Sequence, residues 1–475
     1  MNFTKSIYAA AFACLFLTAC SDFTELQPKG KNLLSTTEEL EMLLNAEFTT
    51  VTTDMKSVAS DLAPVAQNLE TLLSAPVKTR EAILVSFDDS DMDHFAELTA
   101  SDADYENYYG YIGRIANPIL QRIDEAEGDD KDRARIKAEA YMLRAYSHFI
   151  LVNKFAKAYN PQTASSDPGI PYMKEDSDIT ELAVKSTVKE VYDNILADID
   201  AAIALNSLPV NAANAMRFNL PAAHAARAFV LMSLQRYEEA EQAAKEALTM
   251  NSVVDDYNTM LSIMNGMFGM PHEVFIRPQM QCQEDLFFTF GAEGMPITTE
   301  AWNYFEPGSI CHDNLITMNL AYDFFMDMGM QMLGVPYEFV MDVYSGWNGA
   351  GLKTAHMYLI ISECELRKGN VDVAMENLDK LRVNRISSAV YQPLQGVVTE
   401  VNDGIEHLKQ TSHGENIFSV YNFINRKRWN QTEWRQTFTR NINGKVYSLT
   451  PENRLWIFPF PMNVVANNPN LTQNY

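Results

Sequence analysis

The most definite chemistry in the sequence belongs to Cys20. It closes Leu17-Thr18-Ala19-Cys20, a leucine, two small residues and a cysteine, the pattern in which bacterial export machinery diacylates the thiol and makes the cysteine the first residue of the mature protein. Lys5 supplies a positive n-region and Ile7 to Leu17 an apolar run. That run is shorter than the ~20 residues a spanning helix needs. The residues after it, Ser21, Asp22 and Glu25, are polar and acidic rather than a basic stop-transfer cluster. A lipid on Cys20 that anchors the chain without threading it through the bilayer is therefore expected. Several acyl chains, at ~0.8 kcal/mol per buried methylene, pass the two-chain threshold for stable attachment.

No other constellation reads as reactive. The eight histidines form no HExxH, no GxSxG surrounds a serine, and no GxxxxGK loop cradles phosphate, so no enzyme, catalytic residue, cofactor or metal is expected. Asp89-x-Asp91-x-Asp93 opens like a calcium loop, but His94 stands where the glycine belongs and Ala100 where the bidentate glutamate belongs. It reads as a solvated acidic loop. Two methionine clusters, Met264-Met267-Met270 and Met326-Met328-Met330-Met332, offer soft thioethers that suit Cu(I), and equally the filling of irregular cores. Cys282, Cys311 and Cys364 are an odd number with no CxxC pair, neither a disulfide framework nor a zinc site. A bridge between Cys282 and Cys311 stays open, and Cys364 reads as a small buried residue.

The chain has 475 residues and a formal charge of −25. Nucleic-acid binders show basic stripes, so nucleic acid is excluded as a partner and neutral ligands are favoured. At 47% hydrophobic and 21% charged residues, the composition is that of an ordinary folded protein.

The elements around these residues read as mostly helical. Thr36 with Glu39 makes a capping box ahead of Leu40, Leu43 and Leu44, and a second helix is expected across 62–73. The acidic stretch 86–104 reads as a loop. Tyr108, Ile112, Ile115, Ile119 and Ile123 give one buried face of a helix over 105–123. The strongest helix of this half spans 132–155, with Ile136, Ala140, Leu143 and Ile150 on one face. Residues 158–185, with Pro161, Pro168, Gly169 and Pro171, read as a crossing loop. Thr187 with Glu190 then caps a helix striped by Val188, Val191, Ile195, Ile199 and Ile203. Residues 221–250 split into two helices around Gln235-Arg236-Tyr237, and Tyr237, Ala240, Ala244, Ala247 and Leu248 have the small-residue spacing of a tetratricopeptide (TPR) second helix. A weaker copy follows over 358–381, turning at Gly369. Between them, 251–352 lacks a sustained period.

These pieces, in this order, resemble the SusD/RagB-like outer-membrane nutrient-binding lipoproteins. After the lipobox, Leu26-Gln27-Pro28-Lys29-Gly30 and the helix at 38–44 are similar to the family's N-terminal segment, and Tyr108, Ile112, Ile115, Ala116 and Asn117 to its early helix. Ala138-Glu139-Ala140, Leu143-Arg144-Ala145-Tyr146, Gly169-Ile170-Pro171, Val191-Tyr192, Ile195 and Asp198 follow the template, as do Tyr358-Leu359 and Ser362-Glu363. The tail is the most specific match: Phe458-Pro459-Phe460-Pro461, then Asn468-Pro469-Asn470-Leu471-Thr472-Gln473-Asn474. Residues 426–440 keep Arg426, Arg428, Arg435 and Arg440 but lack the family's Glu-Gly-x-Arg.

The resemblance implies an all-α dominated fold, a TPR-like scaffold of helical pairs carrying an irregular, loop-rich inserted lobe. The expected organisation is a lipoprotein signal peptide over 1–19, a lipidated tether over 20–35, an N-terminal helical region over 36–250, an irregular ligand lobe over 251–352, and a C-terminal helical region with the tail over 353–475. It also implies a cell-surface lipoprotein of the outer membrane that captures oligosaccharides, or in some members peptides, for a SusC-like TonB-dependent transporter; a structural TPR adaptor of the envelope is the alternative. A neutral-sugar site needs aromatic platforms and a few fixed polar groups. Ligand-binding candidates are Tyr105, Asn107 and Tyr109 beside Asp104, and Trp302, Tyr304 and Trp347 in the insertion, with Phe287, Phe288 and Phe290 nearby. Trp302 with Phe305 reads equally as a core pair, and Trp347 sits in a loop between Gly346 and Gly349.

Overall fold

A computed structural model describes residues 34–46, 48, 53–59, 69–177, 180–265, 271–291, 297–314, 337–338, 346–442 and 444–475. Cys20, the tether up to residue 33 and the second methionine cluster lie outside the described residues. Among the described residues, no helix is long and apolar enough to cross a membrane.

Helix α1 (Thr37–Leu43) begins at the expected capping box, with Thr36 accepting from the Glu39 N–H. The expected helix over 62–73 is described only over Leu69–Ser74, and 60–68 lie outside the described residues. The acidic stretch 86–104 is not the continuous loop its composition suggests. It holds a helix over Met92–Glu97, where Asp91 accepts from the His94 N–H at 3.0 Å. It then leads into α2 (Ala103–Tyr111), where Asp102 accepts from the Tyr105 N–H at 2.9 Å. Aspartates that looked like loop residues are N-caps, because a short carboxylate satisfies the orphan donors of a first turn.

Nor is 105–123 one regular helix: a π-turn over Ile112–Ala116 joins α2 to a helix over Asn117–Arg122. Pro118 is the physical cause, since it lacks the N–H that would reach back one turn and its ring needs the room a wider turn provides.

The long helix α3 (Asp130–Phe155) packs against α4 (Val188–Ala204). Ala138, Ala140 and Ala145 on α3 are fully buried. The family-like charged residues join these helices: the buried Arg144 donates to Asp198 from Nε at 2.7 Å and from Nη2 at 2.8 Å. Glu139 receives Arg217 at 2.5 and 2.9 Å. Then α5 (Leu220–Ser233) pairs with α6 (Tyr237–Met250), and α7 (Thr354–Arg367) with α8 (Val371–Arg382). Ala225, Ala228, Ala240, Ala243, Ala244 and Ala247 are fully buried and leave the short separation TPR pairs need.

The C-terminal region adds α9 (Val401–Glu415), α10 (Tyr421–Trp429) and a hairpin of Phe438–Ile442 with Lys445–Leu449. Between the helical pairs, the described part of 251–352 is made of short two-stranded antiparallel ladders and short helices. Leu261–Asn265 pairs with Pro271–Phe275, and Asp285–Phe287 with Leu352–Lys353. Cys282, Cys311 and Cys364 are free and buried, so Cys282 and Cys311 are not bridged.

The tail straps back over the end of α3. The Phe458 N–H donates to Lys154 O at 2.9 Å, and the Asn474 side chain donates to Phe155 O and Gly169 O, each at 2.8 Å. Gln473 clamps both backbone groups of Phe460. The side-chain amides of Gln473 and Asn474 therefore close backbone groups that the end of a helix or an extended segment would leave open.

Candidate ligand-binding clefts

Tyr257, Phe275, Ile310, Cys311, Ile417 and Phe418 form a small apolar cluster in the inserted lobe, and Trp302, Tyr304, Phe305 and Trp347 pack onto it partly buried. The hairpin ending at Phe275, the helices Thr299–Trp302 and Ile310–Asn314, and the C-terminal end of α9 bring these rings together. Trp347 is stacked on Phe418 with centroids 4.4 Å apart and lies 5.8 Å from Phe275. Trp302 lies 4.7 Å from the His312 ring and 5.7 Å from Phe305.

Tyr304 has the most connected position. It lines a narrow inner cavity with Phe305 and Trp347, and also an outer cleft of about 500 Å³ with Gln410, His413, His407 and Gln436. The inner cavity, about 40 Å³, is too small for a sugar ring, whereas the outer cleft lies within the ~300–1,000 Å³ range of ligand pockets.

Charged groups at the inner wall are paired. Arg382 donates to Glu306 at 2.8 Å. Arg385 donates to Glu415 and Glu284, each at 2.7 Å, and Lys353 also bonds Glu415. Burial alone would raise the Glu415 carboxyl, but Arg385 and Lys353 hold it well below the usual range. His413 lies 4.7 Å from the Tyr304 ring; its burial and the nearby Arg426 push it far below the ordinary histidine value, so it is neutral. Such surroundings suit a neutral ligand with hydroxyls to satisfy.

Tyr105 and Tyr109 line a different cleft, of about 650 Å³, with Asn117, Gln121, Met173 and Asn468. The Tyr109 hydroxyl donates to Pro171 O at 2.8 Å, and the Tyr105 ring packs 4.6 Å from Tyr109 and 5.6 Å from Phe155. Burial pushes the Tyr105 hydroxyl up to about 12. Asn107 is half-buried on α2.

Asp104 belongs to a buried ion cluster: Lys154 Nζ donates to Asp104 at 2.6 Å and to Asp102 at 2.7 Å, with Asp54 at 3.6 Å. Phe287 and Phe288 are core residues, Phe287 stacking on Phe218 at 4.0 Å, and Phe290 packs against Phe288.

Of the sequence candidates, Tyr105 and Tyr109 thus line one cleft, Tyr304 lines another, Trp347 lines only the narrow inner cavity, and Asn107 and Trp302 line none of these. Sequence reading missed the wall that α9 contributes. Asp403, His407 and Gln410 recur there at helical spacing, a polar face that periodicity alone exposes. Among the described residues, no group of His, Cys, Asp and Glu is placed to hold a metal ion; Asp91 caps a helix, and Asp93 and Asp89 bond the tail at Tyr475 and Arg454.

Residues 30–231 match the SusD-like family described as starch-binding and associating with the outer membrane. No curated protein matches the chain in sequence. Similar solved structures include a SusD superfamily protein from Bacteroides thetaiotaomicron, 16% identical over 93% of this chain and 100% of that one, with a TM-score of 0.65. A SusD-like carbohydrate binding protein from Bacteroides vulgatus is 16% identical over 93% and 98%, with a TM-score of 0.60. Surface glycan-binding protein A from Bacteroides uniformis is 14% identical over 92% and 99%, also with a TM-score of 0.60. At these identities the structures speak for the fold alone, which is that of the SusD superfamily proteins, and over residues 30–231 the sequence itself is similar to the SusD-like family.

Proposed function

We propose that this protein is a cell-surface lipoprotein that captures neutral oligosaccharides in the cleft beside Tyr304 and passes them to a SusC-like TonB-dependent transporter in the outer membrane. The observation that carries the reading is the setting of Tyr304: a half-buried ring at the junction of two cavities, flanked by Gln410 and neutral His413, with the charges of the inner wall paired among themselves. A sugar asks for an apolar ring face and fixed hydrogen-bonding groups, and gains nothing from unpaired charge. The glycan and carbohydrate ligands named for proteins of the same fold support the ligand class. Capture by binding alone needs no catalytic residue, and none is assigned.

Calorimetry on residues 21–475 with a panel of neutral oligosaccharides and peptides tests the capture step. Binding of at least one glycan is expected, and peptide binding with no glycan binding would replace the ligand class. The anchor is tested in cells: Cys20→Ala should release the protein from the membrane fraction and reduce uptake while leaving purified affinity unchanged. Full uptake by the unanchored protein would overturn the delivery role.

A further inference from the structure

The imidazole of His413, on α9, lines the Tyr304 cleft although the residue is only 3% exposed. Aromatic neighbours grip the ring, with Tyr304 at 4.7 Å, Phe438 at 5.9 Å and Trp429 at 6.0 Å between centroids. That packing fixes where each ring nitrogen points. Nε2 faces inward and accepts from Arg426 Nε at 3.3 Å. Nδ1 has no partner among the described residues and is not one of their enclosed, unsatisfied polar atoms, so it opens onto the cleft.

Arg426 decides which nitrogen carries the proton. A guanidinium only donates, so the nitrogen that receives it must offer a lone pair, and in a neutral imidazole the proton then sits on the other nitrogen. Burial, Arg426 and Lys409 all oppose a second proton on the ring. Nδ1 is therefore an N–H, a donor that cannot become an acceptor. A hydroxyl, or a carboxamide such as that of Gln410, can turn to suit either kind of group; a ring wedged among aromatic neighbours cannot. The same guanidinium lies 5.1 Å from the centre of the Tyr304 ring and 4.2 Å from that of Phe438. One buried side chain of α10, 1% exposed, thus holds both the aromatic platform and the donor beside it. An N–H kept oriented at the edge of a cavity bonds water until a ligand brings an acceptor.

We propose that His413 is a binding residue of the Tyr304 cleft whose Nδ1–H donates to an acceptor oxygen of the saccharide lying on the Tyr304 ring, and that Arg426 is the positioning residue that fixes this tautomer. The role of the donor rests on the reading of that cleft as the glycan site. The tautomer rests on the Arg426 contact and can be measured without a ligand.

Residues 21–475 labelled with ¹⁵N-histidine are examined by one-bond and long-range ¹⁵N–¹H spectra, in which His413 is assigned by the signals missing from His413→Asn. The expected spectrum has a proton on Nδ1 and none on Nε2. Titration with maltotriose, cellotriose, xylotriose and mannotriose, each also followed by calorimetry, should shift the Nδ1–H signal with at least one of them. For that sugar, His413→Leu should weaken binding about threefold to tenfold, the loss of one hydrogen bond. His413→Asn, which returns an N–H at the same bond distance from Cβ as Nδ1, should recover most of that loss. Arg426→Met should leave the His413 ring in place but let the proton appear on Nε2, and affinity should fall with it. A wild-type ring carrying its proton on Nε2 overturns the proposal. So does a sugar that binds without moving the Nδ1–H signal and binds His413→Leu equally well, which would leave the glycan reading standing. No binding of any of the four sugars in calorimetry would overturn the glycan reading and the role of His413 with it, whatever the tautomer.

Discussion

Tyr304 presents a half-buried ring to an open cleft, whereas Trp347, in the same aromatic cluster, is gripped between Phe418 and Phe275. Their truncations should therefore separate. Tyr304→Ala removes a platform, and oligosaccharide affinity should fall about tenfold or more, the equivalent of ~1.4 kcal/mol, with little change in Tm. Trp347→Ala opens a hole in the small apolar cluster and should cost stability toward the lower end of the ~3–5 kcal/mol seen for aromatic truncations. Calorimetry and thermal melts on the same two proteins decide it, and equal stability losses would mean that Tyr304 is a packing residue. The candidate residues were legible by type, because aromatics in a loop-rich insertion are conspicuous. Their division of labour was not: whether a ring is a platform or a brick depends on partners far along the chain, such as Phe418 and His413, which no local pattern reveals.

The two best-formed helical pairs share one device in their turns. Just past α5, Gln235 adopts φ +60°, its N–H donates to Met232 O at 3.1 Å, and the Arg236 N–H donates to Leu231 O at 2.9 Å. Just past α7, Gly369 adopts φ +81°, its N–H donates to Leu366 O at 3.0 Å, and the Asn370 N–H donates to Glu365 O at 2.9 Å. Both are Schellman caps, which need a left-handed residue just past the helix. Glycine meets that need at no steric cost; glutamine does not. Gln235→Gly should therefore stabilise the protein by up to about 1 kcal/mol, and Gly369→Ala should destabilise it by about 1 kcal/mol. The added Cβ at Gly369 meets no atom within 4 Å, so the whole cost is backbone strain. Urea midpoints at constant slope measure both.

Helices of this kind were readable from their stripes and from the Thr36 and Thr187 capping boxes, which form as expected. What escaped were features fixed by a single atom: the missing N–H of Pro118 behind the π-turn, and the carboxylates of Asp91 and Asp102 that start helices inside an apparently loop-like stretch. Periodicity counts side chains and does not see backbone donors.

Across the whole molecule, buried charge ties distant parts of the chain together, and two of its clusters respond to pH in opposite directions. Glu363 on α7 receives Arg428 of α10 at 2.5 and 2.6 Å, Arg367 at 3.0 Å, and the Trp429 indole N–H at 3.0 Å. Burial would raise its pKa, but these partners outweigh burial and bring it from 4.5 to about 2. A lowered folded value means that the stabilisation is complete above pH 4.5 and is lost as pH falls toward 2. Asp104 behaves in the reverse sense. Lys154 and Arg80 face three carboxylates, those of Asp54, Asp102 and Asp104, and one Asp104 oxygen has no partner.

Burial, only partly offset by Lys154 and reinforced by Asp102, raises Asp104 from 3.8 to about 7. Its contribution is therefore present below pH 3.8 and lost as pH rises through 7. The two effects overlap to favour mildly acidic conditions. Two variants isolate them. Glu363→Gln leaves Arg428 buried without its counter-charge and should cost about 3–5 kcal/mol at pH 7, with the fall in stability between pH 4.5 and 2 correspondingly flattened. Asp104→Asn removes the surplus carboxylate and should raise stability at pH 8 by roughly 1–3 kcal/mol, while changing little or turning unfavourable at pH 4, where the wild-type group already holds its proton. Denaturant titrations at pH 4, 6 and 8 measure the difference. A stabilisation by Asp104→Asn that is the same at all three pH values would show that relief of packing, not of charge, is responsible.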